Sequence, residues 1–69
     1  MDKEVRELVQ EAGRQGWRCE LRKGGHWLCF APDGVGRVSI ASTPSDHRWR
    51  ANTIAKMRRH GFRWPPPKE

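Results

Sequence analysis

The sequence predicts an α+β domain with element order α-β-β-β-α. Three antiparallel strands form one layer of a two-layer sandwich, and both helices cover one sheet face. Three observations carry this. Val5, Leu8, Val9 and Ala12 recur at helical spacing. Residues 17–22 and 37–41 alternate apolar with polar side chains around a third, more apolar stretch, and glycine- or proline-rich joints separate the three. Helical spacing then returns at Trp49, Ile54 and Met57, ahead of Gly61.

The first helix is expected over residues 3–15. Asp2 suits its N-cap, Glu4 and Glu7 suit the positive end of its dipole, and Gly13 and Gly16 supply the stop. Residues 17–22 form a half-buried strand, and Lys23, Gly24 and Gly25 turn the chain. A second strand covers residues 26–31. Pro32, Asp33 and Gly34 make the next turn, with Gly36 adding slack before the third strand at 37–41. Residues 42–46 form a loop broken by Pro44, and the second helix is expected from 47 to 60, closed by Gly61. Residues 1–62 make the domain; 63–69, with Pro65, Pro66 and Pro67, form a stiff extended tail.

A three-residue turn at 23–25 would set Cys19 opposite Cys29, Leu21 opposite Trp27, and His26 opposite Arg22, whereas a one-residue slip reverses the faces. Trp17, Cys19, Leu21, Trp27 and Cys29 then share the helix-covered face. His26, Leu28 and Phe30 share the other, which is left free for a ligand, a partner or a second copy of the chain.

At 69 residues there is room for one small domain, not for a two-domain enzyme or a dinucleotide-binding unit. No apolar run is long enough to span a bilayer, and the opening residues lack an apolar signal region. Two cysteines do not make a disulfide scaffold, so a reducing cytoplasm, of a bacterium or a phage-infected host, is expected. The four tryptophans argue against disorder. A core this small has thin stability, so partner binding or homodimerisation is a further expectation.

The net charge is +6 and is unevenly spread. Residues 1–21 hold four basic and five acidic groups; residues 22–69 hold ten basic and three acidic. Ten of the 14 basic residues are arginine, which grips phosphate bidentately and stacks on bases. RNA is the natural partner. Arg18, Arg22 and Lys23, together with Arg48, Arg50, Arg58, Arg59 and Arg63, are the candidate contacts; an ordinary solvated surface is the bland alternative.

Chemistry-bearing candidates are few. Two cysteines and three scattered histidines form no cluster of metal-ligand spacing, so neither a metal nor another cofactor is expected. Gly34, Val35 and Gly36 are turn material, not a phosphate loop. His60 sits where it would satisfy a helix C-terminus, and His47 precedes a helix. His26 opens a strand directly after Gly24 and Gly25, which lack side chains and let a nucleic-acid backbone approach. Its imidazole suits proton transfer at neutral pH, as RNA cleavage through the 2′-hydroxyl requires. A plain surface histidine on a strand is the competing reading.

Gly16-Trp17, Lys23-Gly24-Gly25-His26, Pro32-Asp33-Gly34 and the stretch from Asn52 to Phe62 stand in an order that resembles the HicA toxin family, over residues 3–62. The resemblance implies a fold like that of double-stranded-RNA-binding domains. It also implies a small mRNA interferase that cleaves without a metal and is silenced by a cognate antitoxin. His26 carries over as the catalytic residue, and Gly24 and Gly25 as the motif presenting it. Trp27, Cys29 and the arginine-rich stretch 42–50 depart from the family pattern. Two functions are therefore expected in competition. One is a toxin-like endoribonuclease with His26 as general acid/base. The other is a non-catalytic module that binds nucleic acid or an acidic protein through its arginine-rich second half.

Overall fold

The computed structural model describes residues 2–65, so most of the expected tail lies outside the described residues. The chain runs α1 (Lys3–Arg14), β1 (Arg18–Arg22), β2 (His26–Phe30), β3 (Arg37–Ala41) and α2 (Trp49–Arg58). The strands form one antiparallel sheet in the order β1-β2-β3.

α1 begins where Asp2 accepts the Glu4 N–H at 2.8 Å, satisfying one of the donors a helix start leaves open. It ends one residue earlier than the apolar spacing suggests, with Gln15 as C-cap. Both helices close on the same device. The Trp17 N–H reaches back to the Ala12 carbonyl (2.9 Å) and the Gly16 N–H to that of Gly13 (3.2 Å). The Phe62 N–H reaches Met57 (3.2 Å) and the Gly61 N–H reaches Arg58 (3.2 Å). This paired bonding is the Schellman closure, with Gly16 (φ +93) and Gly61 (φ +92) in the left-handed conformation it needs. Each closure throws the next residue, an aromatic, inward. Trp17 and Phe62 are both buried and meet edge to face, with centroids 6.0 Å apart.

α2 is shorter at both ends than the expected 47–60. The Asp46 carboxylate accepts the Arg48 N–H (2.9 Å) and its carbonyl accepts the Trp49 N–H (3.1 Å). Those bonds hold His47 and Arg48 in a turn outside the helix.

The register pairs Cys19 with Cys29, Leu21 with Trp27, and Arg22 with His26. Trp27 faces Ile40 and Cys29 faces Val38 on β3. Val5, Leu8 and Ala12 of α1, Ile54 and Met57 of α2, and Cys29, Val38 and Ile40 of the sheet form one buried cluster with Trp17 and Phe62. The core thus draws on both helices and on a single sheet face. Leu21 belongs to that face by register but is 60% exposed, contrary to its expected place in the core. It lies at the far end of edge strand β1, beyond the reach of the cluster. No helix among the described residues is long and apolar enough to cross a membrane.

Candidate functional site

The sheet face turned away from the core carries three cross-strand rows, because directly paired residues share a face. Arg18, Phe30 and Arg37 make the first row, Glu20, Leu28 and Ser39 the second, Arg22, His26 and Ala41 the third. Arg18, Arg22, His26, Arg37 and Ser39 are exposed; Leu28 and Phe30 are half-buried. Two apolar side chains therefore lie among cationic ones.

At one end of this face the chain turns through Lys23, Gly24 and Gly25. The Gly25 N–H bonds the Arg22 carbonyl at 3.2 Å. Gly24 (φ +89) and Gly25 (φ +81) both occupy conformations that other residues rarely adopt. The Gly25 carbonyl accepts the Ser42 N–H (2.9 Å) and also the Ser42 hydroxyl, which ties the turn to the end of β3. His26 follows, exposed, and its imidazole has no hydrogen bond or ion pair to any described residue. Arg22 faces it across the strands, but its guanidinium also lies 2.9 Å from Glu20. Glu20 holds Arg18 as well, at 3.1 Å.

The opposite end of the face holds a groove that sequence reading missed. Arg18 stacks over the Phe30 ring, 4.9 Å from its centroid. Arg37, absent from the basic set expected above, flanks Phe30 from β3 and pairs with no described residue. Together with Val35, Gly36 and His60 they line a cavity of about 650 Å³. His60 does not serve its helix end. Its Nδ1 lies 2.9 Å from the Asp33 carboxylate. That carboxylate also accepts the Val35 and Gly36 N–H groups, each at 2.8 Å. The Gly36 and Val35 N–H groups, then His60, hold the Asp33 carboxyl down to about 2. Gly36 carries no side chain because His60 lies on it: a Cβ there would sit 2.4 Å from the His60 ring. The signal for Arg37 was present in the alternation of 37–41, which places Arg37 outward. The signal for His60 was not, since its partner is 27 residues away.

The remaining predicted arginines are not gathered at His26. Arg50 reaches Glu4 (3.4 Å) and lies 5.2 Å from the centroid of the Trp64 ring, so it clasps α2 to α1 and to the C-terminal segment. The Gln15 side-chain amide grips the Arg63 backbone at both its N–H (2.8 Å) and its carbonyl (2.9 Å). Arg48, Arg58 and Arg59 are exposed along or beside α2. Among the described residues no three His, Cys, Asp or Glu side chains are grouped to hold a metal ion. Cys19 and Cys29 are free thiols. The hydrogen bond between them lowers the Cys19 pKa against the effect of burial; the same bond and burial raise that of Cys29.

No family model matches this chain, and no curated protein or solved structure matches it either.

Proposed function

We propose that the protein binds RNA on the outward sheet face and cleaves it without a metal step, using His26 as the proton-transfer group. The observation that supports this reading is the placement of His26. It is exposed and free of described partners, opposite Arg22, and carried on a glycine turn that Ser42 anchors. In such a site the neutral imidazole takes the proton of a ribose 2′-hydroxyl. The 2′-oxygen forms a bond to phosphorus and the bond to the 5′-oxygen breaks. Water protonates the departing oxygen and the imidazolium returns its proton to the resulting hydroxide, leaving a 2′,3′-cyclic phosphate, a 5′-hydroxyl and the starting imidazole. Arg22 and Lys23 offset the charge that builds on the phosphoryl oxygens. Two free thiols suit the cytoplasm of a bacterium or phage-infected cell as its setting.

One contact favours a second reading. Glu20 draws Arg22 away from a phosphate at His26, which suits binding without cleavage, to RNA or to an acidic protein such as a cognate antitoxin. The test is RNA cleavage by the purified full chain and by His26→Ala, with a chelator present. The proposal expects a loss of roughly 10²–10⁴-fold in the variant, the usual worth of a general acid/base, with its thermal midpoint unchanged. Equal cleavage by both proteins overturns the catalytic role. RNA binding without cleavage by either assigns the second reading.

A further inference from the structure

We infer that the groove at the β2–β3 end of the outward face is a second, separate site, built to take one nucleotide unit: a base together with its phosphate. Its Phe30 stands four positions along β2 from His26, about 13 Å on an extended strand. The groove therefore lies apart from the cleavage chemistry and does not need it. The cavity of about 650 Å³ lies in the range of small-ligand sites.

Its lining divides by chemistry. The Arg18 guanidinium over Phe30 offers a flat cationic surface on which a base stacks, and Val35, 82% exposed, adds an apolar rim. Arg37 stands on the other side of Phe30 with its guanidinium uncommitted among the described residues, as bidentate phosphate binding requires. His60 closes the rim. With Nδ1 held by Asp33, His60 keeps its other ring nitrogen for a hydrogen bond to the base or the ribose.

The two nearby carboxylates are engaged, Asp33 by His60 and two backbone N–H groups, Glu20 by Arg18 and Arg22. Neither is left to repel an anion unscreened. The loop N–H groups at 34, 35 and 36 bond within the loop itself, so phosphate recognition falls to the arginines. An acidic peptide would use the two arginines but would leave the guanidinium–aromatic stack without a role.

A free nucleotide and an RNA strand present the same unit, and the test separates them. The isotope-labelled full chain is titrated with adenosine monophosphate, adenosine, inorganic phosphate and a short 2′-O-methyl RNA, which cannot be cleaved through its 2′-oxygen. Amides of residues 34–37 and the Arg37 side chain are expected to shift with the monophosphate. Adenosine and phosphate alone should bind at least about tenfold more weakly, and Arg37→Gln should weaken the monophosphate about tenfold. Arg37 is exposed and without a described partner, so the variant keeps its fold; Phe30→Leu, losing the stack, gives an independent loss.

Shifts with both ligands, or with the 2′-O-methyl RNA alone, support the site. The first result names free nucleotide among its ligands, and the second names the strand. Phosphate binding as tightly as the monophosphate, insensitivity to Arg37→Gln, or no shift at 34–37 overturns it. No probe holds a cleavable bond, so failure here leaves the His26 proposal standing, and loss of cleavage leaves this site untouched.

Discussion

Asp33 shows how much one side chain organises at this end of the molecule. Its carboxylate closes the β2–β3 loop through two backbone N–H groups and holds His60 against Gly36. Each of these bonds favours the charged form, which is why its pKa falls from 3.8 to about 2. The folded-state value lies below the unfolded one, so the stabilisation is complete above about pH 4. It is lost as pH falls through 3.8 toward 2. The thermal midpoint should therefore drop across that window, and Asp33→Asn should flatten the drop. A variant with the same acid profile as the parent would show that Asp33 is not the responsible group. Nothing in the sequence near Asp33 announced His60. The turn residue was legible from Pro32-Asp33-Gly34, but its long-range partner depends on where α2 ends in space.

At the scale of elements, local chemistry was the most legible part. Alternation at 17–22 and a three-residue glycine turn suggest the register that turns Cys29 inward but leave open a one-residue slip that would reverse the faces; the sheet adopts the former. The glycine stops were legible, since Gly16 and Gly61 close the two helices, although α1 ends one residue and α2 two residues sooner than expected, and the inward turn of Phe62 was not foreseen. The start of α2 was not, because the turn that Asp46 holds before Arg48 lies outside the helix and apolar spacing does not mark it. Leu21 shows the limit of face assignment, since alternation tells which side a residue points to but not how far the core extends.

The paired helix closures make a testable claim. Trp17 and Phe62 join the C-terminal ends of the two helices through one edge-to-face contact, and Trp17 is only 4% exposed. Trp17→Ala should cost about 3–5 kcal/mol. For a domain of this size that is enough to populate the unfolded state. Urea denaturation measures it, and a midpoint shifted by less than a tenth of the parent value would remove Trp17 from the core. Trp17→Phe, which keeps a ring at the contact, should recover most of the loss.

Across the whole molecule, the arginines divide by the work their side chains already do, a distinction that net charge cannot show. Arg50 is engaged with Glu4 and Trp64, and Arg18 and Arg22 share Glu20, whereas Arg37 is uncommitted among the described residues. If an RNA strand lies on the outward sheet face, these groups should differ in the salt dependence of binding. Each phosphate neutralised on a single strand contributes about 0.7 to the slope of log affinity against log salt. Arg37→Gln should flatten that slope by about this amount while leaving the thermal midpoint in place. Arg50→Gln should do the reverse, lowering the midpoint through loss of its clasp and leaving the slope nearly as it was. Replacing Arg58 and Arg59 together provides the counter-case. Those two side chains ride on or beside α2, whose inward residues feed the core, and they belong to none of the three sheet rows. A slope that responds to them and not to Arg37 would move the footprint from the sheet to the helix. A slope near zero for the parent protein would mean that RNA does not hold it by its phosphates. The positive half of the chain would then be matched better by an acidic protein surface.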